Sequence, residues 1–548
     1  MQLKDNTKYI LAFIIMLILA FIQCYKAVYG LHWAYEPDFD RDIGYIRNTL
    51  DGHFGTDPNI AGQYMWYNPL MYMTETLVVK TTGLPINVVV ARSGPFLNLL
   101  SPIAFFIVLV KLFDYKIALA GLLSFLFVSN GNLPGWGGAT YSPLMLADCF
   151  VQFIFYINLF LCYKAFNTQK LWWFIALGSG IGIGFLGHAA PTIIIILILI
   201  LLQGQKVIEA LKEKNFKAVT TYVVQGIFTF IPFIIFAFPF LYFIWGKYRM
   251  HFINRVILEC APGIFERKKS LELLKVNATI PLLIAAVGFV WFYKKFTVNY
   301  IRQIILFWFY ITFFLYLYES ALPTVDKLLH IDLPDTIPAL HYFFYLKGVQ
   351  SVFFAFGFVF LATWVINFIK TKYKPGLPAK YADRLLVLFV LLYTVGYYPI
   401  YMNRQDLVEP REQALAKEKQ KDDLAIYYYI EKNIPLDRVI LCEHDQSLFP
   451  VMATGIKMVS IGVYFSNPYI SYDKRENDRD AMISYLTTSA PDSAKSLFAE
   501  YKVRYVLLAN NLYAKYRNPP FAISKVLLKN DSYTLLELSY ASGKGMVN

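Results

Sequence analysis

Eleven long apolar stretches divide the first 400 residues, near 9–29, 94–113, 117–134, 143–163, 171–188, 190–204, 219–245, 278–293, 303–319, 347–369 and 384–401. About 20 apolar residues carry a helix across a bilayer, so the pattern predicts about eleven transmembrane helices. The polar intervals alternate in charge. Lys111 and Lys116, Lys164 and Lys170, Lys206 to Lys217, Lys294 with Lys295, and Lys370 to Arg384 mark five cytoplasmic segments. Lys4 and Lys8 put the N-terminus on that side, as a retained anchor rather than a cleaved signal. The remaining segments then lie outside: about 30–93, 130–142, a tight turn near 189, 246–277, 320–346 and everything after 402.

Beyond residue 401 the periodicity changes. "REQALAKEKQKDDLAIYYYIEKN" reads as an amphipathic helix, while "RVILCEH" and "VRYVLLA" read as strands. "KVLLKNDSYTLLEL" has two alternating runs about Asn530-Asp531, a hairpin signal. The organisation expected is a membrane module over 1–401, with its first outer loop at about 30–93, and an extracytoplasmic α/β domain over 402–548.

Composition agrees. The chain is 57% hydrophobic and 16% charged over 548 residues, too apolar for a soluble protein of this length. Its formal charge of +13 invites a nucleic-acid partner, yet residues 402–548 hold 19 basic and 18 acidic side chains. The excess therefore belongs to the membrane part, where basic loops are expected, and nucleic acid is excluded as a partner. The five cysteines show no CxxC spacing. A Cys260–Cys442 bridge would need both residues outside the cell.

Candidate chemistry begins at "WAYEPDFDRDIGYIRNTLDGHFGTDPNIAGQYMWYNPLMY", residues 33–72, where Asp38, Asp40 and Asp42 follow the end of the first apolar run. Carboxylates at a membrane boundary are costly unless water, a partner or a metal meets them. The plain reading is a solvated acidic loop. The functional one is a general base, or a pair, Asp38 and Asp40, holding a divalent cation such as Mg²⁺ or Mn²⁺. Both suit glycosyl transfer. A second feature is the outward basic segment with Arg249, Arg255, Arg267, Lys268 and Lys269, suited to an anionic phosphate or simply solvated.

The loop resembles the GT-C superfamily of polyprenyl-phosphate-dependent glycosyltransferases. "DFDRDIGYIRNTLDG" is similar to the acidic loop of the aminoarabinose and protein mannosyl transferase branches, and "WYNPL" precedes the next helix as in that family. The resemblance implies that Asp38, twelve residues before Leu50, is the catalytic base, with Asp40 second. Asp42, Tyr67 and Asn68 of the same loop are expected at the substrate. Phe39 stands where some members carry a second acid. In "TIPALHYFFYLKG", His341-Tyr342 stands where many members carry Arg-Tyr at the donor phosphate, and Lys347 supplies a positive charge nearby. His188, between two apolar runs, is a further substrate-cavity candidate. The implied activity is transfer of a sugar from a polyprenyl-phosphate donor to a glycan, lipid or protein acceptor, with inversion, at the outer face of the plasma (inner) membrane. Two alternatives stand beside it: a transporter or flippase of lipid-linked saccharide, and a non-catalytic subunit with the same fold.

Overall fold

The computed structural model describes residues 2–128, 140–254, 274, 279–296, 299–330, 337–373, 379–488, 493–516 and 522–539. Each of the eleven apolar runs falls on a helix. Among the described residues, seven helical spans are long and apolar enough to cross a membrane. Helices such as Leu171–Gly187 are shorter: 17 residues at about 1.5 Å per residue reach about 26 Å, slightly less than a bilayer's hydrocarbon core. The protein is a multi-pass helical membrane protein with an α/β region carrying one sheet.

The chain divides into two compact units. One comprises Met1–Tyr29, Arg92–Pro239 and Ala261–Pro410; the other comprises Gly30–Ala91, Phe240–Cys260 and Arg411–Asn548. The first unit is a bundle whose core includes Met16, Phe105, Leu119, Phe155, Trp308, Tyr345 and Phe356. Two of its helices, Ile280–Lys295 and Leu340–Tyr373, pack closely. A Cβ on Gly288 would lie 1.8 Å from the Phe353 carbonyl oxygen, and one on Gly357 2.0 Å from that of Ile284. Backbones approach this closely only where side chains are absent, which is how helices gain contact when lipid is as apolar as leucine. Lys8, Lys116 and Asp383 meet in two ion pairs of 3.4 and 2.6 Å.

In the second unit five strands, β1 Val439–Cys442, β2 Lys457–Met458, β3 Val503–Ala509, β4 Ala522–Lys529 and β5 Tyr533–Ser539, lie in the order β2-β1-β3-β5-β4. β1 is parallel to β2 and β3, while β5 is antiparallel to β3 and β4. The expected hairpin is β4–β5. Asn530 closes it, its Oδ1 accepting from the amides of Ser532 at 3.1 Å and Tyr533 at 2.7 Å. The single amphipathic helix expected after residue 410 is two, Gln405–Lys417 and Lys421–Asn433. Glu418 at the break instead accepts from the Trp33 amide at 3.1 Å. Cys442 is a buried free thiol in β1, and Cys260 lies outside the described residues.

Residues 30–91 pack with this sheet. The Met458 amide donates to the Asn59 carbonyl at 2.6 Å, and Ile60 pairs with Met458 in a parallel bridge, so the loop extends the sheet beyond β2. Asn59 Nδ2 donates to the Met452 carbonyl at 3.2 Å. Asp57 is buried and accepts from the amides of Asn59 and Ile60 and from Asn467 Nδ2.

Candidate functional site

The acidic stretch that the sequence places in a loop is a helix, Pro37–Leu50. Proline at its first position has no amide to leave unsatisfied, and Asp38 and Asp40 in the first turn oppose the positive end of the helix dipole. At 100° per residue, acids two apart point in different directions. The three aspartates therefore do not converge.

Asp40 shares a stripe with Gly44 and Arg47, and this stripe docks on the C-terminal residues of the same unit. Lys417 Nζ donates to both Asp40 oxygens at 2.7 and 2.8 Å. The ammonium also lies 4.3 Å from the Phe449 ring centroid. A Cβ at Gly44 would meet the Met452 carbonyl oxygen at 2.9 Å. Arg47 pairs with Glu431 at 3.0 Å. Asp40 is only 2% exposed. Burial pushes its carboxyl up to about 6, with the Lys417 ammonium opposing.

Asp38, Arg41 and Asp42 share the other stripe, with Tyr45. Arg41 Nη1 pairs with Asp38 Oδ1 at 2.7 Å, and Nη2 and Nε donate to Asp42 Oδ1 at 2.9 and 3.0 Å. The guanidinium carbon sits 3.7 Å from the Tyr67 ring centroid, so the expected substrate residue Tyr67 supports the arginine. Asp42 is buried, and desolvation pushes it up to about 7 against the opposing charge of Arg41. The Asp38 side chain keeps 40% of its exposure, against 1% for Asp42. Asn68, beside Tyr67, is half-buried.

A cation shared by Asp38 and Asp40 does not fit this arrangement. Both Asp40 oxygens are taken by Lys417, and Asp38 is taken by Arg41 on a different face. Among the described residues no group of three or more His, Cys, Asp or Glu is arranged to hold a metal ion.

A second cluster lies in the first unit. His341 Nδ1 is 3.2 Å from Asp148 Oδ2, and the His341 and His188 ring centroids are 4.6 Å apart. Three helices supply them: Asp148 is in the first turn of Ala147–Thr168, His188 caps Ala189–Lys212, and His341 opens Leu340–Tyr373. His188 Nδ1 accepts from the Ala190 amide at 3.2 Å, which leaves the proton of the neutral ring on Nε2. Asp148 is buried, with the Cys149 amide donating to its Oδ1 at 2.9 Å. Lys347, nearly two turns beyond His341, is also buried. Arg249 is exposed in the second unit with φ of +53°; Arg255, Arg267, Lys268 and Lys269 lie outside the described residues.

Three residues of these clusters escaped sequence reading: Arg41, Lys417 and Asp148. Asp148 had a signal, being an acid inside an apolar run, "LMLADCF". Arg41 was visible only as the charge between the acids.

No family model matches the chain, and no curated protein matches it. Solved structures do. ArnT from Cupriavidus metallidurans bound to undecaprenyl phosphate superposes with a TM-score of 0.56 at 12% identity, covering 96% of this chain and 98% of that one. The Archaeoglobus fulgidus oligosaccharyltransferase tethered to an acceptor peptide gives 0.55 at 13% identity, covering 92% and 70%. The same archaeal enzyme in complex with Zn and sulfate gives 0.53 at 14% identity, covering 91% and 69%. The chain thus shares the fold of these solved structures.

Proposed function

We propose that this chain is an inverting membrane glycosyltransferase that moves a sugar from a polyprenyl-phosphate donor to an acceptor hydroxyl at the outer face of the plasma membrane, with Asp38 as general base. One observation carries the choice of base. Of the three aspartates, Asp38 alone keeps substantial exposure, 40% of its side chain, while being held by Arg41. A base must reach the proton it takes, and Asp40 and Asp42 are each almost wholly buried. The shared fold with a structure bound to undecaprenyl phosphate supports a lipid-phosphate donor.

In this reading an Asp38 oxygen takes the acceptor's hydroxyl proton as the acceptor's own oxygen attacks the anomeric carbon. The bond from that carbon to the phosphate oxygen breaks, and its electron pair leaves with the lipid phosphate. Attack opposite the leaving group inverts the centre. Arg41 holds the orientation of Asp38 by a charge-assisted hydrogen bond. The donor phosphate is met by His341, oriented by Asp148, with His188 and Lys347 of the same unit; Arg249 and Arg255 are proposed as further contacts. Asn68 and Tyr67 line the acceptor side. The N-terminus is cytoplasmic and residues 402–548 face outside.

The test is transfer by the purified chain from a panel of radiolabelled undecaprenyl-phosphate sugars to cell-envelope extract. Asp38→Asn should cut turnover by about 100-fold or more, the usual scale for loss of a general base, while donor binding survives. Parental turnover in Asp38→Asn together with loss in Asp40→Asn would move the base to Asp40. Parental turnover in both variants would end the assignment.

A further inference from the structure

We propose that Arg41 is the resident cation of the acidic helix, occupying the place between Asp38 and Asp42 that a divalent metal would otherwise bridge, so that this site works without a metal. The inference deepens the glycosyltransferase reading, and its metal-binding arms stand apart from that reading.

The geometry is that of a filled site. Asp38 and Asp42 are four residues apart on one helix, a spacing that brings carboxylates together on one face. Between them lies a guanidinium, with three N–H contacts of 2.7 to 3.0 Å. Tyr67 covers its flat side at 3.7 Å, and the arginine is 6% exposed. A hard divalent cation asks for about six oxygens at about 2.1 Å in the case of magnesium. Two carboxylates are offered here, and the Oδ1 of each is already bound to the arginine, while Asp42 Oδ2 is buried without a hydrogen-bond partner. To enter, a metal would have to expel Arg41 and leave a buried guanidinium without its partners. The acids of the first turn, not the helix dipole, favour a cation at this place, since a permanent positive charge among them limits their mutual repulsion. A guanidinium stays charged at every physiological pH and cannot be chelated away. Arg41 is therefore a positioning residue: it does to Asp38 what a coordinated metal would do, without being exchangeable.

The experiment is Mn²⁺ titration of the purified full chain in detergent, read by electron paramagnetic resonance, together with transfer assays in EDTA or Mg²⁺. The parent and Asp38→Asn should give the same Mn²⁺ isotherm, and parental transfer should be unchanged by EDTA. Arg41→Ser removes the guanidinium and sets two carboxylates side by side; it should gain a bound Mn²⁺ signal that Arg41→Ser/Asp42→Asn loses. A parental Mn²⁺ signal abolished by Asp38→Asn or Asp42→Asn would overturn the proposal. So would transfer that EDTA stops and Mg²⁺ restores. An Arg41→Ser variant that folds and gains no Mn²⁺ would overturn the claim that Arg41 holds a metal's place. Should that variant not fold, the comparison of parent with Asp38→Asn decides alone. A parent without any transfer activity would count against the glycosyltransferase reading and leave the Mn²⁺ result intact.

Discussion

The two faces of the helix Pro37–Leu50 use the same residue type for opposite purposes. On one, Asp40 is sealed by Lys417, Gly44 touches backbone, and Arg47 is paired with Glu431. On the other, Asp38 stays accessible beside Arg41 and Asp42. Acids spaced two apart look like one chelating cluster in an extended chain, where alternate residues share a face. Wound into a helix they separate, the middle one turning away from its neighbours. The docking face anchors the helix, and the arginine-bridged face leaves Asp38 accessible.

Breaking the docking face should cost the most. Lys417→Met leaves the Asp40 carboxylate buried without its partner, and removal of one member of a buried pair costs about 3–5 kcal/mol. Thermal unfolding in detergent should report it, and Asp40→Asn/Lys417→Met should recover most of the loss because the stranded charge is gone. A single variant as stable as the parent would mean that this face is not what holds the helix.

Gly44→Ala adds one methyl where a Cβ meets the Met452 carbonyl oxygen at 2.9 Å and Gly455 Cα at 3.5 Å. Overpacking of this kind costs about 1–3 kcal/mol. The same substitution at Gly52, whose Cβ would meet nothing within 4 Å but whose φ is +82°, separates close approach from backbone strain. Equal effects at the two positions would argue against contact as the reason for Gly44.

The smallest effect sharpens the other face. Folded, Asp40 and Asp42 keep their protons up to about 6 and about 7, whereas a free aspartate gives up its own near pH 3.9. Between those limits the folded chain binds more protons than the unfolded one. The stability this contributes is fully present below about pH 4 and is lost as pH rises through the folded values. The unfolding midpoint should fall from pH 5 to pH 8, and Asp42→Asn should flatten the dependence of stability on pH by up to about 1.4 kcal/mol per pH unit. Identical slopes in parent and variant would show that Asp42 does not titrate there.

Much of the fold was legible in the sequence because lipid imposes long apolar runs, and among the described residues each of the eleven falls on a helix. The β4–β5 hairpin was legible for a local reason, since Asn530 supplies its own turn hydrogen bonds. The site was less so. Asp38 and His341 could be picked out by residue type and position, but their partners, Arg41 for one and Asp148 for the other, gave only a charge inside a loop and an acid inside an apolar run. Lys417 is 377 residues from Asp40, in a charged stretch that reads as a solvated helix. Nothing local distinguishes it from Lys419 or Lys421.

By itself, then, the sequence determined what depends on neighbours along the chain: which segments are apolar enough for membrane, where charge sits between them, where a hairpin turns, and that acids follow the first span. Only the tertiary structure decided which of those acids is buried and which is open. That outcome rests on the helical phase of Pro37–Leu50 and on a lysine brought from the far end of the chain. Hydrophobic transfer acts on each segment alone, whereas the ionisation and exposure of a carboxylate are set by whatever charge and dielectric the fold places within a few ångströms of it.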